Sequence, residues 1–417
     1  MNRSVLIVAF HYPPVHGSSG IQRTLKFSTY LREHGWEPII LTASPRAYER
    51  TSDDQMAEIP AGIHVERAFA LNTAKHLAWG GRYFNWAAQP DRWVSWWPAA
   101  VWQGMRLIRR LRPAVIMSTC PIPTAHLIGL TLQRLSGLPW IADCRDSLSE
   151  PGYPEDPLTW RTNRRLERAI MRRCTKAVFT TSGTRRMYAE RYPEQPGERW
   201  AVIENGFDEE SFRGAEQVAV GPQPAASRPI TLLHSGVLYP RERDPRPFFA
   251  ALRALKSEGA IDAGTLRVLL RATGSDAAYQ QTLVEQGIDD LVQLAPPVGY
   301  RDALHEMLNA DGLLLFQAAI CNHQIPAKLY EYLRAGRPVL TLTDHAGDTA
   351  AAMREVGAAD IVDIADKQDI ARGLRRFVEG LRQGRLAGVP RSVADRNSRR
   401  ARTSELAALL DEVSVPK

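Results

Sequence analysis

The chain has 417 residues, too many for one ordinary domain, so two domains are expected. Its 44% hydrophobic and 24% charged residues are those of a globular protein, and its apolar runs fall short of the roughly twenty residues of a membrane span. The net charge of +7 favours anionic partners, and the scattered Cys120, Cys144, Cys174 and Cys321 lack the paired spacing of zinc or redox sites. No metal is expected, and reduced thiols in a cytoplasm fit best. The opening apolar run, Val5 to Phe10, is too short for a secretory signal and ends in His11-Tyr12-Pro13-Pro14.

In chain order, Ser4 to Phe10 reads as a buried parallel strand. Ile21 to His34 follows with helical periodicity and stops at Gly35. Further strands are predicted at 36–42, 64–68, 115–118, 140–143, 177–181 and 201–203, with helices at 99–111, 124–136, 159–174 and 182–192. Alternation of this kind implies a doubly wound sheet. Residues 209–229 are rich in Gly, Pro and Ala and read as a linker. A second alternating run has strands at 230–236, 267–272, 291–294, 312–316, 339–343 and 359–362. Helices are predicted between them at 245–258, 276–286, 300–310 and 327–335, and the tail 392–413 is helical. The fold class is therefore α/β, with two Rossmann-like domains whose strand ends are expected to face each other across a cleft, where ligands bind in open sheets.

The most informative stretch is Ile325 to Val339. A helix opening at Ala327 after Pro326 offers free N–H groups and a positive dipole end, which suit a phosphate. Lys328 adds a full charge, and Glu331, three residues on, can accept two hydrogen bonds from a ribose diol. The plain alternative is a surface Lys–Glu pair. Gly17-Ser18-Ser19-Gly20 after the first strand lets the backbone approach an anionic ligand, although the G-x-G-x-x-G spacing is absent. Gly236 ends the first strand of the second run, and Arg241 and Arg243 follow, placed to neutralise a diphosphate or else to pair with Glu242 or Asp244.

Asp143, Arg145 and Asp146 crowd another strand end, where a carboxylate can orient an acceptor hydroxyl or take its proton, or where an Arg–Asp pair can hold the loop. Arginines at 106, 109, 110 and 112, and at 161, 164, 165, 168 and 172, form two helical stripes. They are either solvated faces or rests for anionic lipid. Trp79, Tyr83, Phe84, Trp86, Trp93, Trp96, Trp97 and Trp102 are dense in aromatic character; core packing takes the larger share, with a sugar or lipid acceptor path or a dip into a membrane interface as the alternatives.

With these pieces in order the chain resembles the GT-B glycosyltransferases, close to glycosyltransferase family 4. The resemblance runs over nearly the whole length through Pro13-Pro14 and its glycine loop, 140–146, 202–208, 236–239, 325–332 and 336–338. It implies retaining, metal-independent transfer from a nucleotide-diphosphate sugar, with no cofactor. Glu331 matches the residue on the ribose, Gly17 to Gly20 the loop facing the donor phosphates, and Arg145-Asp146 the acceptor-side strand end. Arg241 and Arg243 fall near the family's diphosphate pair, with Val237 at the usual arginine position. His323 stands where many relatives carry the first glutamate of E-x7-E, which leaves the donor-sugar contacts open.

The expected domains are an acceptor domain at 1–212, a linker at 213–229, a donor domain at 230–391 and a helix at 392–417 that crosses back. The acceptor is a glycan, a lipid-linked glycan or a small molecule. The location expected is cytoplasmic with peripheral contact to anionic membrane, and nucleic acid is not an expected partner. A sugar-nucleotide epimerase of the same fold and a catalytically idle nucleotide-sugar-binding protein are the rival functions.

Overall fold

The computed structural model describes residues 3–15, 20–53, 55–78, 80, 82–217, 228–358 and 360–414. The chain divides into two compact units, one of residues 1–205 with 399–417 and one of residues 206–398.

The first unit contains β1 (Ser4–Ala9), α1 (Gly20–Tyr30), β2 (Glu37–Ala43), β3 (His64–Ala68), the short α2 (Thr73–His76) and α3 (Trp96–Leu111). β4 (Val115–Thr119), α4 (Pro123–Ser136), β5 (Trp140–Cys144), α5 (Pro157–Arg173), β6 (Lys176–Phe179), α6 (Ser182–Arg191) and β7 (Trp200–Val202) follow. Neighbouring strands run parallel in the order β3-β2-β1-β4-β5-β6-β7. Every residue of β1 is buried because both faces of the strand are covered. Leu6 and Val8 join the core under α3, α4 and α5, whereas Val5 and Ile7 join the core under α1 and the C-terminal helix. Gly35, at φ 73°, closes the turn after α1 in a left-handed conformation that glycine adopts without strain.

The second unit opens with α7 (Glu209–Glu216), β8 (Ile230–Ser235), α8 (Arg246–Ser257), β9 (Leu266–Arg271), α9 (Asp276–Gln286), β10 (Val292–Ala295) and α10 (Tyr300–Asn309). It continues through β11 (Gly312–Gln317), α11 (Lys328–Ala335), β12 (Val339–Thr343), α12 (Asp348–Glu355), β13 (Ile361–Val362), α13 (Lys367–Arg382) and α14 (Arg391–Ala394). The parallel sheet order is β10-β9-β8-β11-β12-β13. In both sheets the strand order reverses beside the first strand, between β1 and β4 and between β8 and β11. Ligands settle at such switch points, outside the strand C-termini.

Three expectations change. The linker predicted from residue 209 begins as α7: Asp208 caps it, its Oδ2 accepting from Ser211 N at 3.0 Å, and Phe212 and Ala215 are buried. The unit boundary accordingly lies at 205–206, and residues 218–227 of the expected linker lie outside those described. The helix expected from residue 392 breaks at Ser398, which is extended at ψ 151°, and restarts as α15 (Arg399–Ser414) in the first unit. Finally, α12 and α13 fill a stretch to which the sequence reading assigns no helix. Asp366 caps α13, and Ile370, Leu374, Phe377 and Val378 are its buried face.

α15 is held to the first unit by Trp36 Nε1 donating to Asp411 Oδ1 at 2.9 Å and by the Arg3–Asp411 pair at 2.6 Å. Among the described residues no helix is long and apolar enough to cross a membrane.

Candidate functional site

In the second unit the chemistry gathers at the end of β8. Gly236 has φ 122°, a region that disfavours a side chain, and a Cβ built there would lie 2.7 Å from Lys328 Nζ. Lys328 opens α11 with Ala327 at the N-cap, after a turn in which Leu329 N donates to Pro326 O at 3.0 Å. Its Nζ is 3.1 Å from Nε2 of His234, a fully buried β8 residue that the sequence reading passes over. Burial, then the positive Arg243, lowers the Lys328 pKa well below the ordinary lysine value, and Glu331 partly restores it.

Arg243 and Arg241 separate. Arg243 is partly buried, donates through Nε to Gln317 Oε1 at 3.4 Å and lies over the Tyr239 ring at 5.4 Å. Arg241 is exposed on the turn. Asp244, one suggested partner for these arginines, instead pairs with Arg246 at 2.6 Å. Glu331 is partly buried one turn into α11, and its Oε1 accepts from Tyr300 Oη at 2.9 Å. Lys328, Arg243, Gly236 and Glu331 thus come together as a cation cluster and a carboxylate at one strand end. His323 sits in a turn after β11, in a loop pinned to the β12–α12 turn by Asn322 Nδ2 on Asp344 Oδ2 at 2.6 Å and by Asp348 N on Asn322 O at 2.7 Å.

In the first unit the corresponding ends of β1, β4 and β5 meet. Gly17, Ser18 and Ser19 lie outside the described residues. Gly20 starts α1, where a Cβ would fall 2.6 Å from Arg145 Nη1 and 2.8 Å from His11 Nδ1, so only glycine fits without displacing them. Burial first, and Arg145 second, push the His11 pKa down to about 3, which keeps this ring neutral. Arg145 is held by its Nη1 on Cys120 O at 3.0 Å and by its backbone N on Cys120 Sγ at 3.0 Å. Asp146 is exposed at the rim of this strand end.

Asp143 is a correction. Its carboxylate is fully buried and spent on Arg23, at 2.8 and 3.0 Å, and on Thr119 Oγ1 at 2.8 Å, so it is not open to an acceptor. Arg23 also donates to Ile203 O and Glu204 O, both at 2.9 Å, and so ties α1 and β5 to the segment after β7. Burial raises the Asp143 pKa, but Arg23, Arg145 and the hydrogen bonds outweigh it and hold the group below the usual carboxylate range. The ionised form therefore stabilises the fold fully above the unfolded pKa of about 4, and that contribution is lost as pH falls through the lower folded value. Arg23→Leu strands this buried charge and is expected to cost about 3–5 kcal/mol. In thermal unfolding near neutral pH the loss appears as a lower Tm, and an unchanged Tm contradicts the assignment.

The arginine stripes and aromatic residues also resolve. On α5, Arg161, Arg165, Arg168 and Arg172 are exposed, whereas Arg164 turns inward to the buried Glu167 at 2.9 Å. Of the aromatic segment, Trp96 is core and Trp93 packs on Phe10 at 4.8 Å. Most of the others face out: Phe84 is 73%, Trp86 71% and Trp102 61% exposed, with Tyr83 and Trp97 also exposed, so core packing does not take the larger share. Trp79 lies outside the described residues. Arg106 lies over the Trp102 ring at 4.9 Å, and Arg109 lines the same shallow groove on α3.

Comparison with known proteins bears on the fold and the family. The family described as Glycosyltransferase Family 4 matches residues 19–211. In sequence, no curated protein matches. In structure, the chain is similar to HepE of Anabaena, solved with UDP and glucose, at 13% identity and TM-score 0.66, covering 98% of this chain and 99% of that one. It is similar to sucrose-phosphate synthase of Thermosynechococcus elongatus at 12% identity and TM-score 0.64, covering 98% of both chains. It is also similar to a UDP-forming α,α-trehalose-phosphate synthase of Burkholderia xenovorans, solved with glucose-6-phosphate, at 15% identity and TM-score 0.64, covering 98% and 100%. At these identities the structural likeness establishes the fold, which is GT-B. The family match, over residues 19–211, points to glycosyltransferase family 4.

Proposed function

We propose that this GT-B protein, which resembles glycosyltransferase family 4, moves a sugar from a nucleotide-diphosphate donor to an acceptor hydroxyl with retention of anomeric configuration. The observation that carries the reading is Lys328 Nζ set against Gly236, with Arg243 donating to the neighbouring Val237 O at 3.3 Å and Glu331 one turn along α11. A diphosphate at Gly236 meets two cations and the N-terminal end of α11, and the ribose diol meets Glu331.

Breaking the anomeric C–O bond places negative charge on the leaving β-phosphate. Lys328 and Arg243 stabilise that charge more in the transition state than in the bound donor, which lowers the barrier. These side chains carry the role that a metal ion plays elsewhere, so no cofactor enters the scheme. For retention, the acceptor oxygen enters on the face the phosphate leaves, and the departing phosphate oxygen takes its proton. Asp146, with Arg145 beside it, is the acceptor-side pair of the first unit.

The acceptor we propose is a lipid-linked glycan or polysaccharide precursor at the cytoplasmic face of an anionic membrane. Support comes from the outward faces of α3 and α5, which cover the same side of the sheet with α4 between them. They expose Trp97, Trp102, Arg106 and Arg109 on one helix and the four-arginine stripe on the other. Tryptophan suits the headgroup layer, and each arginine near an anionic surface contributes about 1 kcal/mol. Vesicles of phosphatidylcholine with phosphatidylglycerol are expected to bind the protein, and plain phosphatidylcholine only weakly. The triple variant Trp102→Ala, Arg106→Ala, Arg109→Ala should lose most of that binding in flotation. Equal flotation of variant and wild type removes the membrane reading.

The transfer itself is tested by incubating UDP-, GDP-, dTDP- and ADP-sugars with candidate acceptors and following release of the nucleoside diphosphate. Proton NMR of the product gives its anomeric configuration. Acceptor-dependent release with retention is the expected result. Conversion of the sugar nucleotide without an acceptor identifies an epimerase, and binding without any turnover identifies an idle binding protein.

A further inference from the structure

We propose that His234 is a positioning residue of the donor-phosphate site: its ring, locked as the Nδ1–H tautomer, presents Nε2 as the acceptor that holds the Lys328 ammonium against Gly236. This rests on the donor reading above and adds to it a residue that does not touch the donor.

The geometry fixes the tautomer. His234 is fully buried in β8, and its Nδ1 lies 2.8 Å from Leu314 O on the adjacent β11. A carbonyl oxygen only accepts, so Nδ1 carries the hydrogen. The neutral ring then has its lone pair on Nε2, 3.1 Å from Lys328 Nζ, which has hydrogens to give. A doubly protonated ring would point an N–H at the ammonium. Burial and the charge of Lys328, with Arg243 behind them, outweigh the backbone bonds to Leu314 and Gly236 that favour protonation, and hold the His234 pKa well below the ordinary histidine value.

The described groups that face the ammonium fit this assignment. Gly236 leaves the space, His234 accepts from β8, Arg243 repels from the β8–α8 turn, and Glu331 attracts from the same helix. Tyr332 is turned aside, its hydroxyl accepting from Ser235 N at 3.0 Å. A free lysine side chain carries rotamer freedom that would be lost on binding phosphate. With one N–H already on His234, two remain for phosphate oxygens and the side chain is ordered beforehand. The hydrogen bond to Nε2 also favours the charged lysine against the burial that opposes it.

The test titrates UDP, GDP, dTDP and ADP in turn into wild type, His234→Leu and His234→Gln by calorimetry between pH 6 and 10. Leucine removes the acceptor, and glutamine restores one. In His234→Leu, Kd near neutral pH is expected to rise about tenfold, the scale of one hydrogen bond to a charged group. Its alkaline loss of affinity should begin roughly one pH unit lower than in wild type. His234→Gln should recover both toward wild type.

A folded His234→Leu protein with wild-type Kd and pH profile overturns the proposal, as does a folded His234→Gln protein no better than His234→Leu. If His234→Leu does not fold, the ring ¹⁵N shifts of wild-type His234 decide. An Nδ1–H tautomer whose Nε2 shift moves in Lys328→Met supports the proposal, and an Nε2–H tautomer overturns it. Failure of folded wild type to bind any of the four diphosphates removes the donor reading and this proposal with it. Binding by wild type that His234→Leu leaves untouched removes only the role of His234.

Discussion

In the Glu331→Ala protein the donor KM is expected to rise between about tenfold and a hundredfold while kcat changes little. A carboxylate that accepts two hydrogen bonds from a ribose diol makes charge-assisted contacts of about 1.5–3 kcal/mol each, and 1.4 kcal/mol is one decade in affinity. The ribose lies away from the reacting carbon, so its contacts serve ground state and transition state alike. Their loss therefore appears in KM and leaves kcat in place. Tyr300 donates to one oxygen of this carboxylate at 2.9 Å and orients it. Tyr300→Phe should consequently move KM in the same direction by less. Steady-state kinetics with the donor varied checks both, and an unchanged donor KM in Glu331→Ala contradicts the assignment of the ribose.

The second large effect lies on the phosphate. Lys328→Met and Arg243→Ala are each expected to lower kcat by about a hundredfold to a thousandfold, the usual loss when a donor aimed at developing charge is removed. The two cations face one leaving group, so the double variant should fall short of the product of the single effects. Arg241 gives the contrast. From sequence it stands level with Arg243, but it is exposed on the turn whereas Arg243 lies beside Lys328. Arg241→Ala is expected to leave kcat within a few-fold of wild type. Loss of kcat in Arg241→Ala with retention in Arg243→Ala would reverse the assignment. The measurement is kcat at saturating donor for the variants side by side.

Much of the architecture is legible in the sequence because apolar runs such as Val5 to Phe10 and Val339 to Thr343, too short for helices and each with proline near one end, suit strands buried on both faces. Boundaries read less well. Asp208-Glu209-Glu210-Ser211 is a helix-start signal, yet the glycines and prolines that follow it dominate the composition and hide α7. In α13 the buried residues are spread among arginines, and only the cap at Asp366 marks its start.

The site divides the same way. Gly236 is readable as a strand end, and Lys328 with Glu331 as a proline-opened helix with i, i+3 spacing, because each signal is local; the meeting of Gly236 with Lys328 is a tertiary contact. His234, His11 and Arg23 are not, because their meaning comes from partners far along the chain: Lys328 and Leu314 for His234, Arg145 for His11, and Asp143 for Arg23. A polar residue inside an apolar strand or on a buried helix face was the available signal. Asp143 differs from its expected role for the same reason, since its position at a strand end does not reveal that Arg23 occupies both oxygens.

The most direct measurement is a crystal structure of the protein soaked in turn with UDP, GDP, dTDP and ADP, supported by calorimetry of Lys328→Met. One of the four is expected to lie with its diphosphate at Gly236 and Lys328 and its ribose hydroxyls on Glu331, with affinity sharply reduced in the variant. A nucleotide bound away from the end of β8, or an affinity that Lys328→Met does not change, contradicts the account.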